Sequence, residues 1–164
     1  MDDDKNGLLS IRRASTADID AVAELLAYID GLHQPRDRHQ IRQSPPPRAN
    51  EQQLAKGIID PATVVLVSER GGSVVGYARM GIRNTNGNRL FNPMRLGIVH
   101  EIVVAEAHGG QGVGTALMEA LHCVARAAGV ERIQLEHYVA NAAAAGLYAK
   151  LGYSTMRLVC VKNL

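Results

Sequence analysis

The sequence predicts an α/β protein of the α+β kind, with one mixed, mostly antiparallel sheet and helices on both faces. Three observations carry that expectation. Runs rich in β-branched residues, separated by turn signals, fill the middle of the chain. Amphipathic helical patterns flank them. Near residue 100 a strand leads through a glycine-rich bend into a helix and then another strand, the order of a parallel crossover. With 164 residues the chain is long enough for a single domain with its own core. Residues 1–7, acidic and without an apolar stretch, read as a disordered or non-native tail, leaving 8–164 as the domain.

Ser10 to Arg13 is expected as a short first strand. Thr16 and Asp18 offer capping oxygens to a helix whose apolar positions Ile19, Val22, Leu25, Leu26 and Ile29 recur at helical spacing, with Gly31 as its end. Residues 32–49 are polar and contain three consecutive prolines, which is loop chemistry. His33, Arg36, Asp37 and His39 within it have no metal-ligand spacing and read as loop or acceptor-contact residues. A short helix follows at 50–59 with Asn50 as its cap. Residues 62–69 and 73–82 read as a hairpin around "RGG", and 84–88 signals a further turn. Residues 95–104, "RLGIVHEIVV", are apolar on both faces and read as a central strand.

After the glycines, Val113, Leu117, Leu121 and Val124 mark one helix face, and Gly129 is a natural stop. Residues 131–139 read as a strand and 141–151 as a short helix with Asn141 as its cap and Gly152 as its stop. "YSTMRLVCVKN" reads as a closing strand. The expected order is β-α-α-β-β-β-α-β-α-β.

Composition excludes several classes. Five Tyr, one Phe and no Trp, with a net charge of +2 and no basic run, give no stacking platform or phosphate-backbone surface, so no nucleic-acid partner is expected. No apolar stretch approaches a membrane span, and no membrane partner is expected. Cys123 and Cys160 form no metal or redox motif and read as buried free thiols in a reducing, cytoplasmic setting; no metal is expected.

The chemistry concentrates in "HGGQGVGTALMEAL", 108–121. A helix N-terminus presents unpartnered N–H groups at the positive end of its dipole, and glycines let a phosphate approach them. The bend fits neither the P-loop nor the dinucleotide fingerprint, because no Lys follows and position 115 is Thr. A bend that only lets the helix pack closely on the sheet is the plain alternative.

With "HEIVVAEAHGGQGVGTAL" followed by "IQLEHYVANAAAAGLYAKLGY", the chain resembles the GNAT superfamily of N-acetyltransferases. Gly112 and Gly114 match the glycines of that family's Arg/Gln-x-x-Gly-x-Gly/Ala motif, and Asn141, Tyr148 and Gly152-Tyr153 match its second motif. The family's Arg or Gln falls on Gly109, a departure that implies weaker phosphate binding or a cation supplied from elsewhere. The resemblance implies acetyl-CoA as cosubstrate and a sheet that splays after the central strand. The amides of Gly109, Gly110, Gln111, Gly112, Val113, Gly114 and Thr115 would hold the diphosphate. The main chain of Ile102, Val103 and Val104 would pair with the pantetheine arm, and Asn141 would line its groove. It also implies a homodimer.

Acetyl transfer to an amine needs a base, an oxyanion donor and a proton for the departing thiolate. Glu101 in its apolar strand is the expected base, acting through water, its basicity raised by burial; a salt bridge to a neighbouring Arg is the alternative. Tyr148, two helical turns after Asn141, is the expected acid and a contact to the cosubstrate's sulfur. A main-chain N–H near Val103 is the expected oxyanion donor. His100 is expected on the opposite strand face from Glu101, as a core or second-layer histidine, and His137 and Tyr138 on opposite faces of the next strand, in ordinary packing or at its edge, with one of them lining the acceptor pocket as the alternative. The expected activity is acetyl transfer to a primary amine of a small molecule or peptide. A catalytically silent acyl-CoA-binding sensor or partner subunit, and a nucleotide-binding regulatory domain, are the readings from other classes.

Overall fold

The computed structural model describes residues 7–33 and 49–162, with 29–33 and 49 as backbone only. Strands β1 (Ser10–Arg13), β2 (Thr63–Arg70), β3 (Ser73–Thr85), β4 (Met94–Val104) and β5 (Arg132–Leu135) form one sheet in sequence order. The first three pairings are antiparallel and β4–β5 is parallel. Helices α1 (Ile19–His33), α2 (Ala49–Ile59), α3 (Val113–Ala127) and α4 (Ala142–Lys150) complete it. The β2–β3 turn uses two glycines at positive φ, Gly71 at 58° and Gly72 at 83°, the geometry that lets a two-residue turn match the strand twist.

The sheet separates two apolar clusters. On one face α1 and α2 bury Val22, Leu26 and Leu54 against Val65, Val67, Tyr77 and Val103. On the other, α3 buries Val113, Leu117, Met118 and Leu121 against Leu66, Ala78, Met80 and Val99, with Tyr148 of α4 in the same cluster. This apolar burial is the main stabilising contribution to the fold.

Two features of β4 position the site. β5 pairs with it only from Leu96↔Arg132 to Val99↔Leu135, so residues 100–104 have no neighbour on that side among the described residues. The β3–β4 register also shifts between Arg79↔Glu101 and Met80↔Val99, which leaves His100 as the extra residue of a β-bulge.

Several elements differ from the sequence-based expectation. Helix α1 continues through Gly31 to His33, because one glycine costs a helix only about 1 kcal/mol. The polar loop at 34–48, with Arg36, Asp37 and His39, lies outside the described residues, as do residues 1–6. Asn50 lies inside α2 rather than capping it. The expected strand at 131–139 stops at Leu135. Among the described residues the expected closing strand does not form: 153–162 has no ladder partner there, and Met156, Leu158, Val159 and Val161 are exposed. Strand propensity lies in side-chain packing and cross-strand bonds, and neither is present there. Both cysteines are exposed rather than buried. No described helix is long and apolar enough to cross a membrane.

Candidate functional site

The glycine bend begins with a single 3₁₀ turn, Glu106–His108, in which His108 is buried and its Nδ1 has no hydrogen-bond partner among the described residues. Gly110 and Gly112 then take positive φ, 69° and 81°, and Gly112 is the N-cap of α3. A Cβ built on either glycine meets nothing within 4 Å. The space over this backbone is open, and only glycine holds it without strain. Gly114 serves packing instead: its Cβ would lie 3.3 Å from Leu147 Cδ2 and 3.8 Å from Val104 Cγ2, so its bareness lets α3 sit close to α4 and β4. The side chain of Val113 is in the core.

β4 leads straight into this bend. The N–H of Ala105 donates to Val75 O on β3 at 2.9 Å. Backbone groups alternate direction along a strand, so Val103 also faces β3, while Ile102 and Val104 turn their N–H and C=O groups toward the side where β5 has ended. Of the three residues expected to present main-chain groups to a ligand, two face the opening. Val103 instead buries its side chain beside Tyr77.

Glu101 is on the α1/α2 face. Its Oε2 accepts from Tyr77 Oη at 2.7 Å and Arg79 Nε at 3.0 Å, and its Oε1 accepts from Gln53 Nε2 of α2 at 2.9 Å. The expected lone carboxylate in an apolar strand is therefore a partnered one, ion-paired to an Arg of the neighbouring strand, with its side chain 26% exposed. Burial, then the Glu101 charge, pushes the Tyr77 phenol up. Burial works against the Arg79 charge, but Glu101 outweighs it and holds the guanidinium protonated.

His100 is not on the opposite face. Its Nε2 lies 2.9 Å from where a Cβ on Gly81 would be, and Gly81 shares a face with Tyr77 and Arg79. The bulge absorbs the alternation and sets His100 and Glu101 side by side. Burial and then the charge of Arg79 push the His100 imidazole down, with Arg83 adding to it, while Glu101 opposes.

Asn141 caps α4 as expected, its Oδ1 accepting from Ala144 N at 3.1 Å. Tyr148 is 7% exposed, with burial pushing its phenol up. Its ring lies 5.5 Å from His137 and 5.8 Å from Tyr153, whose hydroxyl bonds His122 Nε2 at 2.8 Å. Because β5 is short, His137 and Tyr138 lie beyond the strand, and His137 packs on Tyr148 rather than on a sheet face. Tyr148 and Glu101 approach the open stretch of β4 from opposite faces of the sheet.

Sequence reasoning missed Gln53, Tyr77, Arg79 and Arg70. Arg70, at the end of β2, donates from Nη1 to the side chain of Gln111 in the bend. None of these has a motif signal, because each depends on cross-strand register or on helix docking. Among the described residues no group of three or more His, Cys, Asp or Glu is placed to hold a metal ion.

Residues 27–153 match the model of the acetyltransferase (GNAT) family. The L-methionine sulfoximine/L-methionine sulfone acetyltransferase of Pseudomonas aeruginosa is 32% identical over 90 residues, 55% of this chain and 49% of that protein. The N-alpha-acetyltransferase of Sulfurisphaera tokodaii is 33% identical over 96 residues, 57% of this chain and 58% of that protein. The chain thus spans about half the length of the curated relatives it matches. Among solved structures, a point mutant of the BH1408 protein from Bacillus halodurans superposes with a TM-score of 0.87 at 23% identity, over 94% of this chain and 99% of that one. With a strand opening beside a glycine-rich helix start and a family match across most of its length, the chain belongs to the GNAT family of acetyltransferases.

Proposed function

We propose that the protein transfers an acetyl group from acetyl-CoA to a primary amine of a small molecule or peptide. The observation that carries this reading is the continuity of two main-chain surfaces. The unpaired side of β4 at Ile102 and Val104 leads, through one 3₁₀ turn, to Gly110 and Gly112, whose N–H groups have no backbone acceptor among the described residues and over which the space is open. An extended pantetheine arm would pair with the first as an added strand does. A diphosphate would take N–H groups from the second. Asn141, its Oδ1 committed to the cap, would offer its amide N–H groups to the same groove.

In this reading Glu101, through a water molecule, accepts the proton that the attacking amine loses. Its hydrogen bonds to Gln53, Tyr77 and Arg79 fix the carboxylate, and its partial exposure gives water access. As the amine nitrogen bonds to the carbonyl carbon, the oxygen takes up charge. An N–H on the open side of β4, such as that of Ile102, is directed toward it. The C–S bond then breaks and the thiolate takes a proton from the Tyr148 hydroxyl, and solvent closes the balance by returning a proton to the tyrosinate as Glu101 releases the one it took. Burial pushes that phenol up, which favours its protonated form. The acceptor amine would arrive on the Glu101 face, the leaving thiolate on the Tyr148 face, with the thioester between them.

Release of free thiol from acetyl-CoA, followed with a panel of amino acids, polyamines, aminoglycosides and short peptides, tests this directly. Amine-dependent release is expected. Tight CoA binding with no release across the whole panel would instead favour a silent acyl-CoA-binding module, and stabilisation by ATP or NAD but not CoA would favour a nucleotide-binding one.

A further inference from the structure

Gly109 leaves the bend without the cationic or amide side chain that its motif carries at that position. Arg70 lies where a substitute is needed. It is the last residue of β2, directly before the glycine turn, and its Nη1 donates to Gln111 Oε1. Gln111 is anchored in turn by its own Nε2, which donates to Ala107 O at 3.0 Å. The guanidinium is thus docked on the bend through a side chain of the bend itself.

Its charge is also uncommitted. Arg12 is paired by Asp18 and Glu69, and Arg79 by Glu101. Among the described residues no carboxylate pairs with Arg70, and its Nε is buried with no hydrogen-bond partner. A permanent cation with no carboxylate partner among the described residues, docked through Nη1 on the bend that carries the open backbone of Gly110 and Gly112, is an arrangement that an anion completes. A cation placed across the hairpin does what a side chain at 109 would do, without filling the space above the bend.

We infer that Arg70 is the phosphate-binding cation of this chain, delivered from the β2–β3 hairpin to the 109–112 bend, with Gln111 positioning it. This rests on the acetyl-CoA reading above and adds a residue that its motifs do not contain.

Calorimetric titration of CoA into the wild type, Arg70→Gln and Arg70→Lys at low and high salt tests it, together with kinetics on acetyl-CoA and on acetyl-pantetheine, which has no diphosphate. Arg70→Gln is expected to weaken CoA about tenfold or more, the loss of one charge-assisted contact, and to flatten the salt dependence. It should raise KM for acetyl-CoA with kcat retained and leave acetyl-pantetheine kinetics unchanged. Arg70→Lys should recover part of the affinity. CoA binding by Arg70→Gln equal to wild type would overturn the inference. So would equal losses with acetyl-CoA and acetyl-pantetheine, since that marks a general distortion of the bend. A wild-type chain that binds no CoA would overturn the cofactor reading, and this inference with it.

Discussion

The glycine bend at 109–115 and the Glu101 cluster lie at the two ends of one short stretch of β4, yet they are built differently. The bend is made of main chain. Its groups are local in sequence, and its geometry follows from two positive-φ glycines and a helix start. The Glu101 cluster is made of side chains from α2, β3 and β4, between 22 and 48 residues apart in the chain, aligned by one bulge. A main-chain site can be read from a motif, whereas a side-chain site requires the register of the strands that carry it.

That contrast is sharpest in catalysis. Glu101→Gln keeps the shape of the cluster and removes the base. The expected loss in kcat/KM is about 10²- to 10³-fold, the range of general-base effects, with CoA affinity unchanged by titration. If kcat/KM stays within a few-fold, Glu101 is a structural partner of Arg79 and the base lies elsewhere.

Asp18 provides a control, also paired to an Arg, whose hydrogen bonds among the described residues go to Arg12 and Ser15 and not to the Glu101 cluster. It accepts from Arg12 Nη1 at 2.8 Å and Nη2 at 2.7 Å, and from Ser15 N at 2.7 Å. The hydrogen bonds from Arg12 hold its carboxyl well below the usual range, although burial opposes them. The folded pKa is below the unfolded one, so the stabilisation is fully present above about pH 4 and is lost as the pH falls further. Asp18→Asn should cost about 2 kcal/mol in urea unfolding at pH 7, with that difference shrinking toward pH 2, and should leave kcat unchanged. A Glu101→Gln variant that loses stability with this same pH profile would erase the distinction between the two carboxylates.

How much of this was legible in the sequence follows the same line. The order of the first five strands, the crossover through α3, the cap at Asn141 and the stop at Gly129 are local signals, and they are present. The side of β4 on which His100 lies was not legible, because a bulge is a property of a strand pair. The closing strand failed for a related reason: Val159 and Val161 have strand-forming side chains but no neighbouring ladder among the described residues. Glu101 stood out as an acid in an apolar strand. Its partners did not, because Tyr77 and Arg79 sit in an ordinary hairpin and Gln53 in an ordinary helix. Arg70 reaches Gln111 across 41 residues and has no periodic signature.

The smallest expected effect separates the two kinds of glycine within the bend. Gly112 is at φ 81° with open space over it, whereas Gly114 has ordinary helical surroundings and a Leu147 methyl 3.3 Å from where its Cβ would be. Gly112→Ala forces an alanine into the left-handed region at a cost of about 1–2 kcal/mol, and its methyl would point into the space assigned to the diphosphate. Both the melting temperature and CoA affinity should fall. Gly114→Ala stays inside the first turn of α3, where the gain in helix propensity of up to about 1 kcal/mol offsets the contact with the Leu147 Cδ2 methyl at the end of its side chain. Its stability should therefore lie within about 1 kcal/mol of wild type, measured by urea unfolding, and its CoA affinity within a few-fold. If Gly114→Ala instead loses CoA while Gly112→Ala keeps it, the ligand approaches the bend from the α4 side and the open space over Gly110 and Gly112 belongs to solvent.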